Sequence, residues 1–207
     1  MALEFFHRTA ADPARVALFP GAWNPPTRAH LDIARAARAL ADEVVWVLPR
    51  AFPHKGFEGA SFADRRRMLE ALVESVGHEG FSAAVSAGGL YAEIADEART
   101  FFGPNAEIAL LCGRDAAERM ATWNYDTPGV FEEMLRRYRL LVAARHGEYE
   151  PAGHHSTRIL KLPMEATWDD VSSSEVRRRI ASGGDWQRLV PPDLAGMIAQ
   201  LYPEKTP

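Results

Sequence analysis

A doubly wound α/β fold, a parallel sheet covered by helices on both sides, is what this sequence predicts. The first sign is a set of continuous apolar runs of strand length: RVALF at 15–19, EVVWVL at 43–48 and AEIALLC at 106–112. Runs that are apolar throughout, rather than alternating, belong to strands buried on both faces. The second sign is that the segments between them repeat apolar residues at helical spacing. The third is that Gly or Pro stands where one pattern gives way to the other. Strands alternating with helices give a parallel sheet. Such sheets bind ligands beyond the carboxyl ends of their strands, where the strand order reverses.

Taken in order, residues 1–14 read as an irregular arm. Arg15–Phe19 is the first strand, stopped by Pro20-Gly21. A helix follows from about Thr27 to Ala41, with Ile33, Ala37 and Leu40 on its apolar side and Asp32 and Arg35 on the other. Glu43–Leu48 is the second strand, and Pro49–Ala60 a loop. Ser61, with Asp64 three residues on, opens a helix that turns Met68, Leu72 and Val73 inward. Phe81–Ser86 is a weaker strand and Leu90–Phe102 a helix ended by Gly103-Pro104. Ala106–Cys112, Arg139–Ala144 and Arg158–Leu162 are further strands. Helices close the chain over 172–207, one opening at Ser172 and one from about Asp193 with Leu194, Met197, Ile198 and Leu201 inward.

Composition narrows the function. A chain of 207 residues, 47% hydrophobic and 25% charged, suits one well-buried domain over 1–207. A net charge of -4 supplies no global positive field for nucleic acid or an anionic membrane, so neither is an expected partner. An anionic substrate must then meet a locally basic site. The single cysteine, Cys112, lies in an apolar run and reads as a buried strand residue rather than a nucleophile. The N-terminus has no secretory pattern and no stretch is long enough to span a bilayer, which points to a cytoplasmic setting. Oligomeric state is not legible.

The loops leaving the strands carry the chemistry. The first is Gly21-Ala22-Trp23-Asn24-Pro25-Pro26-Thr27-Arg28-Ala29-His30. Gly21 and Ala22 let backbone approach a ligand closely, and the two prolines stiffen the turn. The helix start offers free N–H groups and a positive dipole end. Thr27 and His30, three apart, point from the first turn to one place. On spacing alone the loop is equally a rigid turn with Thr27 as its cap. The second loop runs from Pro49 to His54-Lys55, where Lys55 is a flexible cation able to follow a phosphate. The third is Gly113-Arg114-Asp115, whose carboxylate can accept ribose hydroxyls or simply cap a helix. Trp123 follows and on its own reads as a core residue. The fourth is Val171-Ser172-Ser173-Ser174-Glu175-Val176-Arg177, in which Ser172 and Glu175 fit a capping box and Arg177 can fork onto phosphate oxygens. Arg178 and Arg179 read as solvated.

Together these loops resemble the nucleotidyltransferase superfamily signature G-x-[FW]-[DN]-P-x-[HT]-x-[GA]-H and its I-S-S-x-x-[IV]-R motif. Pro53-His54-Lys55, the Thr122-Trp123 pair and Leu189-Val190-Pro191-Pro192 resemble the adenylyltransferases acting on nicotinate mononucleotide. The resemblance covers roughly residues 15–200 and implies a Rossmann-like nucleotidyltransferase fold. It implies that Thr27, His30, Lys55 and Arg177 carry catalysis. ATP would lie against Gly21, Ala22, Trp23, His30, Gly113 and Asp115, with Ser173, Ser174 and Arg177 on its phosphates. The acceptor would meet Asn24, His54, Lys55, Tyr91 and Trp123. Mg²⁺ would arrive on the ATP phosphates, and the protein itself would hold no metal.

Two segments stand apart. Where the nicotinate enzymes carry S-Y-T-x-x-T, this chain has Gly88-Gly89-Leu90-Tyr91-Ala92-Glu93-Ile94-Ala95, with Ala at both Thr positions. A phosphopantetheine-like acceptor, or a nucleotide sensor without turnover, are the other readings. The pair His154-His155 lacks a third ligand at recognisable spacing and reads as an exposed loop.

Overall fold

The computed structural model of the chain describes residues 1–9, 12–51, 59–125, 127–144, 149–164, 168 and 170–203, His78 by its backbone alone. Seven strands form one sheet: β1 (Glu4–His7), β2 (Arg15–Pro20), β3 (Glu43–Pro49), β4 (Phe81–Ser86), β5 (Glu107–Gly113), β6 (Arg139–Ala143) and β7 (Ile159–Leu162). Their order is β1-β4-β3-β2-β5-β6-β7, with β1 antiparallel to β4 and every other pair parallel. The helices are α1 (Arg28–Ala37), α2 (Phe62–Ser75), α3 (Tyr91–Phe102), α4 (Arg114–Thr122), α5 (Val130–Arg137), α6 (Ser173–Ala181) and α7 (Ala195–Leu201).

Alternate residues of the central strands feed two cores, as the period of two requires. Ala17, Phe19, Val44, Trp46 and Leu48 face α1, α2, α6 and α7. Val16, Leu18, Val45, Val47, Leu110 and Cys112 face α3, α4 and α5. This is the sheet buried on both sides that the continuous apolar runs predict. Cys112 is buried, and burial pushes its thiol pKa up, which suits a packing role and not a nucleophile.

The chain runs β2–α1–β3 to one side, then crosses by α3 from β4 to β5 on the other side of β2. The order therefore reverses between β2 and β5. Leu18 stands opposite Leu110, so Gly21 and Gly113, each three residues further on, leave the sheet at the same level.

The structure corrects several expectations. The arm over 1–14 contains β1, whose Phe5 pairs with Ala84 and packs on Phe101 and Phe102. No local pattern announces a strand whose partner lies some eighty residues away. Leu40 falls past the end of α1 and is exposed, since the helix stops at Ala37. The final helix is split, with a short 3₁₀ turn over Pro192–Leu194 before α7. Helices α4 and α5 are too short to have shown a clear period.

Candidate active site

The loop between β2 and α1 is shaped from inside. Trp23 takes φ 52 and turns its indole into the core, where only 2% of the residue is exposed. Its Nε1 donates to the Val47 carbonyl at 2.8 Å, and the ring packs against Phe19 and Trp46. A Cβ on Gly21 would meet that ring at 2.7 Å, so this glycine is required by the indole itself. The buried indole belongs to the core, which leaves the backbone of Trp23 for the ATP contact expected there. Asn24 is buried as well, and its Oδ1 accepts from the Ala60 N–H and the Tyr202 hydroxyl. Its side chain ties the loop to the turn before α2 and to the residue that follows α7.

Thr27, fully buried, caps α1. Its hydroxyl accepts from the His30 N–H at 3.3 Å, while its own N–H donates to His30 Nδ1 at 3.1 Å. An imidazole thus fills the place that Glu or Gln takes in an ordinary capping box. Nδ1 holds its lone pair toward Thr27, with the Thr27 hydroxyl 2.9 Å away, so the ring proton sits on Nε2. Trp23 and Phe19 stand edge-on to the ring and fix its plane. Tautomer and orientation are thereby set before any ligand arrives. No acidic residue occupies the first turn of α1 to offset the positive end of its dipole.

The second helix start docks onto the first loop. Ser173 Oγ donates to the Pro25 carbonyl at 2.8 Å, and Arg177 Nη1 donates to the Asn24 carbonyl. Arg177 Nη2 also donates to Ser174 Oγ at 3.3 Å, which leaves its remaining N–H donors for an anion. Arg28 Nε donates to the Val190 carbonyl at 3.1 Å, a further tie between the two ends of the chain. Ser172 caps α6 through the Glu175 N–H, but the return half of the box is absent. Glu175 instead accepts from both Arg178 and Arg179, which holds its carboxyl at about 2. Charge-assisted pairs outcompete the cap; Arg178 stays largely solvated, as expected, whereas Arg179 is mostly covered.

One contributor has no sequence signal. Arg65 of α2 is buried and donates to the Ala22 carbonyl at 3.2 Å. Desolvation lowers its pKa from the usual guanidinium value. It adds positive potential behind the loop, and nothing in an exposed-looking run of arginines at 65–67 singles it out.

At the neighbouring strand end, Gly113 caps α4 with no side-chain hydrogen bond, and Asp115 lies exposed in the first turn. A Cβ on Gly113 would meet no atom of the described residues within 4 Å. Trp123 ends α4, 40% exposed and roughly 12 Å along the helix from Asp115. Tyr91 opens α3 and packs onto the core on that same side of the sheet, where burial raises its hydroxyl pKa. Thr27, His30, Ser173, Ser174 and Arg177 are therefore brought together. Gly113 and Asp115 stand at the adjoining strand end, while Trp123 and Tyr91 lie on the α3–α4 side. His54 and Lys55 fall outside the described residues.

The loop between β4 and α3 is sealed by acid groups. Glu97 accepts from the Ala87 and Gly88 N–H groups at 3.0 and 2.7 Å. Glu93 accepts from those of Gly89 and Leu90 at 2.9 and 3.0 Å. Gly88 is needed there, because a Cβ would meet that of Glu93 at 2.6 Å.

The family described as cytidylyltransferase-like matches residues 18–179, a span that includes every loop above. The chain belongs to the cytidylyltransferase-like family. Within it, a protein of Chloroherpeton thalassium named "Probable nicotinate-nucleotide adenylyltransferase" is 31% identical over 91% of this chain and 97% of its own length. One of Solibacter usitatus bearing the same name is 32% identical over 87% and 95%. A solved structure titled Plasmodium falciparum nicotinic acid mononucleotide adenylyltransferase complexed with NaAD shares the fold. Its TM-score is 0.71, at 15% identity, over 91% of this chain and 95% of that one. The family's nucleotidyltransferase chemistry and the α/β fold expected from the loops agree with these matches.

Proposed function

We propose that this chain transfers the AMP moiety of ATP to the phosphate of nicotinate mononucleotide and releases pyrophosphate, a step of NAD biosynthesis carried out in the cytoplasm. One observation carries the reading: two helix starts, those of α1 and α6, meet through the Asn24 and Pro25 carbonyls, so their amides and side chains address one place.

An oxygen of the acceptor phosphate attacks the α-phosphorus of ATP in line. The new P–O bond forms as the bond to the bridging α–β oxygen breaks, and the electron pair leaves with pyrophosphate. The protein's part is placement and charge stabilisation. Holding two anions in line supplies roughly 7–11 kcal/mol of the barrier. His30 Nε2–H and the start of α1 hold the reacting phosphoryl oxygens, with Thr27 orienting the ring. Arg177 and Lys55 neutralise the leaving polyphosphate, with Ser173 and Ser174 beside them. Asp115 accepts ribose hydroxyls, and Gly21, Ala22 and Gly113 allow close backbone approach. Trp123 offers its exposed face to the pyridine ring. The donors at the junction are amides, hydroxyls, an imidazole and a guanidinium, none of them an oxyanion. That set fits Mg²⁺ carried in on the triphosphate, where it neutralises phosphate charge, rather than held by side chains alone.

Glu93 and Glu97 favour a second acceptor, nicotinamide mononucleotide. The stretch over 88–95, which departs from the S-Y-T-x-x-T of the nicotinate enzymes, follows amides at 87–90 that these carboxylates already engage, and an uncharged ring amide meets less repulsion there than a carboxylate does. The test is pyrophosphate release from ATP or CTP over a panel of nicotinate mononucleotide, nicotinamide mononucleotide and phosphopantetheine. Turnover with ATP and a pyridine mononucleotide is expected. Turnover only with phosphopantetheine, or with none, overturns the reading.

A further inference from the structure

We infer that Glu132, His154 and His155 form a binding site for one divalent cation of zinc-like chemistry, on the α5 side of the sheet. In sequence the histidine pair has no third ligand. The fold supplies one from α5, more than twenty residues earlier. One ligand atom from each of the three residues lies within 4.8 Å of the others. His155 Nε2 is 3.9 Å from Glu132 Oε1, too far for a hydrogen bond between them.

A second observation points to a ligand. The His155 side chain is only 13% exposed, and its Nε2 is buried with no hydrogen-bond partner among the described residues. A buried polar nitrogen without a partner is costly and calls for an explanation. The ring is held edge-on by Phe131, the residue before Glu132, with centroids 5.3 Å apart. The His154 ring lies against it, centroids 3.9 Å apart. His155 is thus fixed, while His154 and Glu132 are exposed enough to swing.

The donor set selects the ion. Two imidazoles and one carboxylate suit Zn²⁺ or Co²⁺, with a fourth position left for water, whereas Mg²⁺ and Ca²⁺ ask for oxygen donors. Ligand bonds of about 2.0–2.2 Å in a tetrahedron place donors roughly 3.4 Å apart. The two exposed side chains therefore close by about an ångström or so. The site joins α5 to the connection between β6 and β7, which has, among its described residues, a three-residue 3₁₀ turn, Gly153–His155, and no α-helix. A bound ion would fasten that connection to the helix beneath it.

The test uses the full chain stripped with a chelator. Zn²⁺ is titrated against a chromophoric competitor, Co²⁺ is followed by its visible bands, and the thermal midpoint is read with and without Zn²⁺. One ion per chain, intense four-coordinate Co²⁺ bands and a raised midpoint are expected. Glu132→Gln and His154→Ala, both at exposed positions, should each weaken binding by at least about 10-fold and dim the bands, while His30→Ala keeps them. No Zn²⁺ binding in the wild type leaves three neighbouring side chains without a ligand and overturns the inference. Binding unchanged in both variants places the ion elsewhere and overturns it as well. None of these readouts depends on adenylyl transfer.

Discussion

Replacing Gly113 with Ala separates a glycine kept for the fold from one kept for a ligand. Gly113 has φ -81 and ψ 166, which alanine adopts without strain. Its Cβ would meet no described atom within 4 Å. On the protein alone the change is neutral, or stabilising by about 0.4–1 kcal/mol through the unfolded chain. If ATP packs against this backbone, the added methyl stands in occupied space, at a cost of about 1–3 kcal/mol. That corresponds to roughly 5- to 150-fold in ATP affinity, read as a raised KM for ATP or by direct titration. Urea unfolding supplies the stability arm. Gly21→Ala is the contrasting control: its Cβ would press on Trp23 at 2.7 Å, so it should lose about 1–3 kcal/mol of stability without any ligand. A Gly113→Ala protein that unfolds like wild type and binds ATP equally well would refute the assignment of this strand end to the nucleotide.

His30→Ala should lower turnover by about 10²–10³ and, because it leaves the buried Thr27 N–H without its acceptor, cost about 1–3 kcal/mol in urea unfolding; full turnover in the purified variant would remove His30 from the reaction. Trp123→Ala, at an exposed position, should raise the acceptor KM much more than the ATP KM in steady-state assays; equal rises would take Trp123 out of the acceptor pocket. Glu43, buried at the start of β3 and accepting from the Ser82 hydroxyl, has its carboxyl pKa raised by desolvation. Its folded form therefore holds the proton more tightly than the unfolded form. The stability this gives is complete below the ordinary value of 4.5 and is lost as pH rises through the folded value. Glu43→Gln should gain on wild type in urea unfolding at pH 7 and show little advantage at pH 4; a gap independent of pH would contradict this.

Much of the fold, and the two helix starts of the candidate site, are legible because their signals are local. A strand buried on both faces advertises itself over five or six residues, as in EVVWVL, and a Ser or Thr cap does so within one turn, as at Thr27, Ser61 and Ser172. What escaped depends on partners far along the chain. The strand at Glu4–His7 exists only against β4. The inward turn of Trp23 depends on the Val47 carbonyl, and the burial of Asn24 on Tyr202. Arg65 looks like its neighbours until Ala22 is placed above it. Glu132 beside His155 is the same case: residue types can be read, but their meeting is a property of the folded chain.

The bond from Tyr202 to Asn24 has a consequence for the order of synthesis. The loop at 21–30 is made first, yet one of its hydrogen bonds waits on a hydroxyl 178 residues further along the chain. Val190 and Arg177 impose the same delay on Arg28 and on the Asn24 carbonyl. A nascent chain halted before residue 202 would hold all seven strands but lack the bond from Tyr202 to Asn24, so this restraint on the loop arrives after the sheet from which the loop leaves.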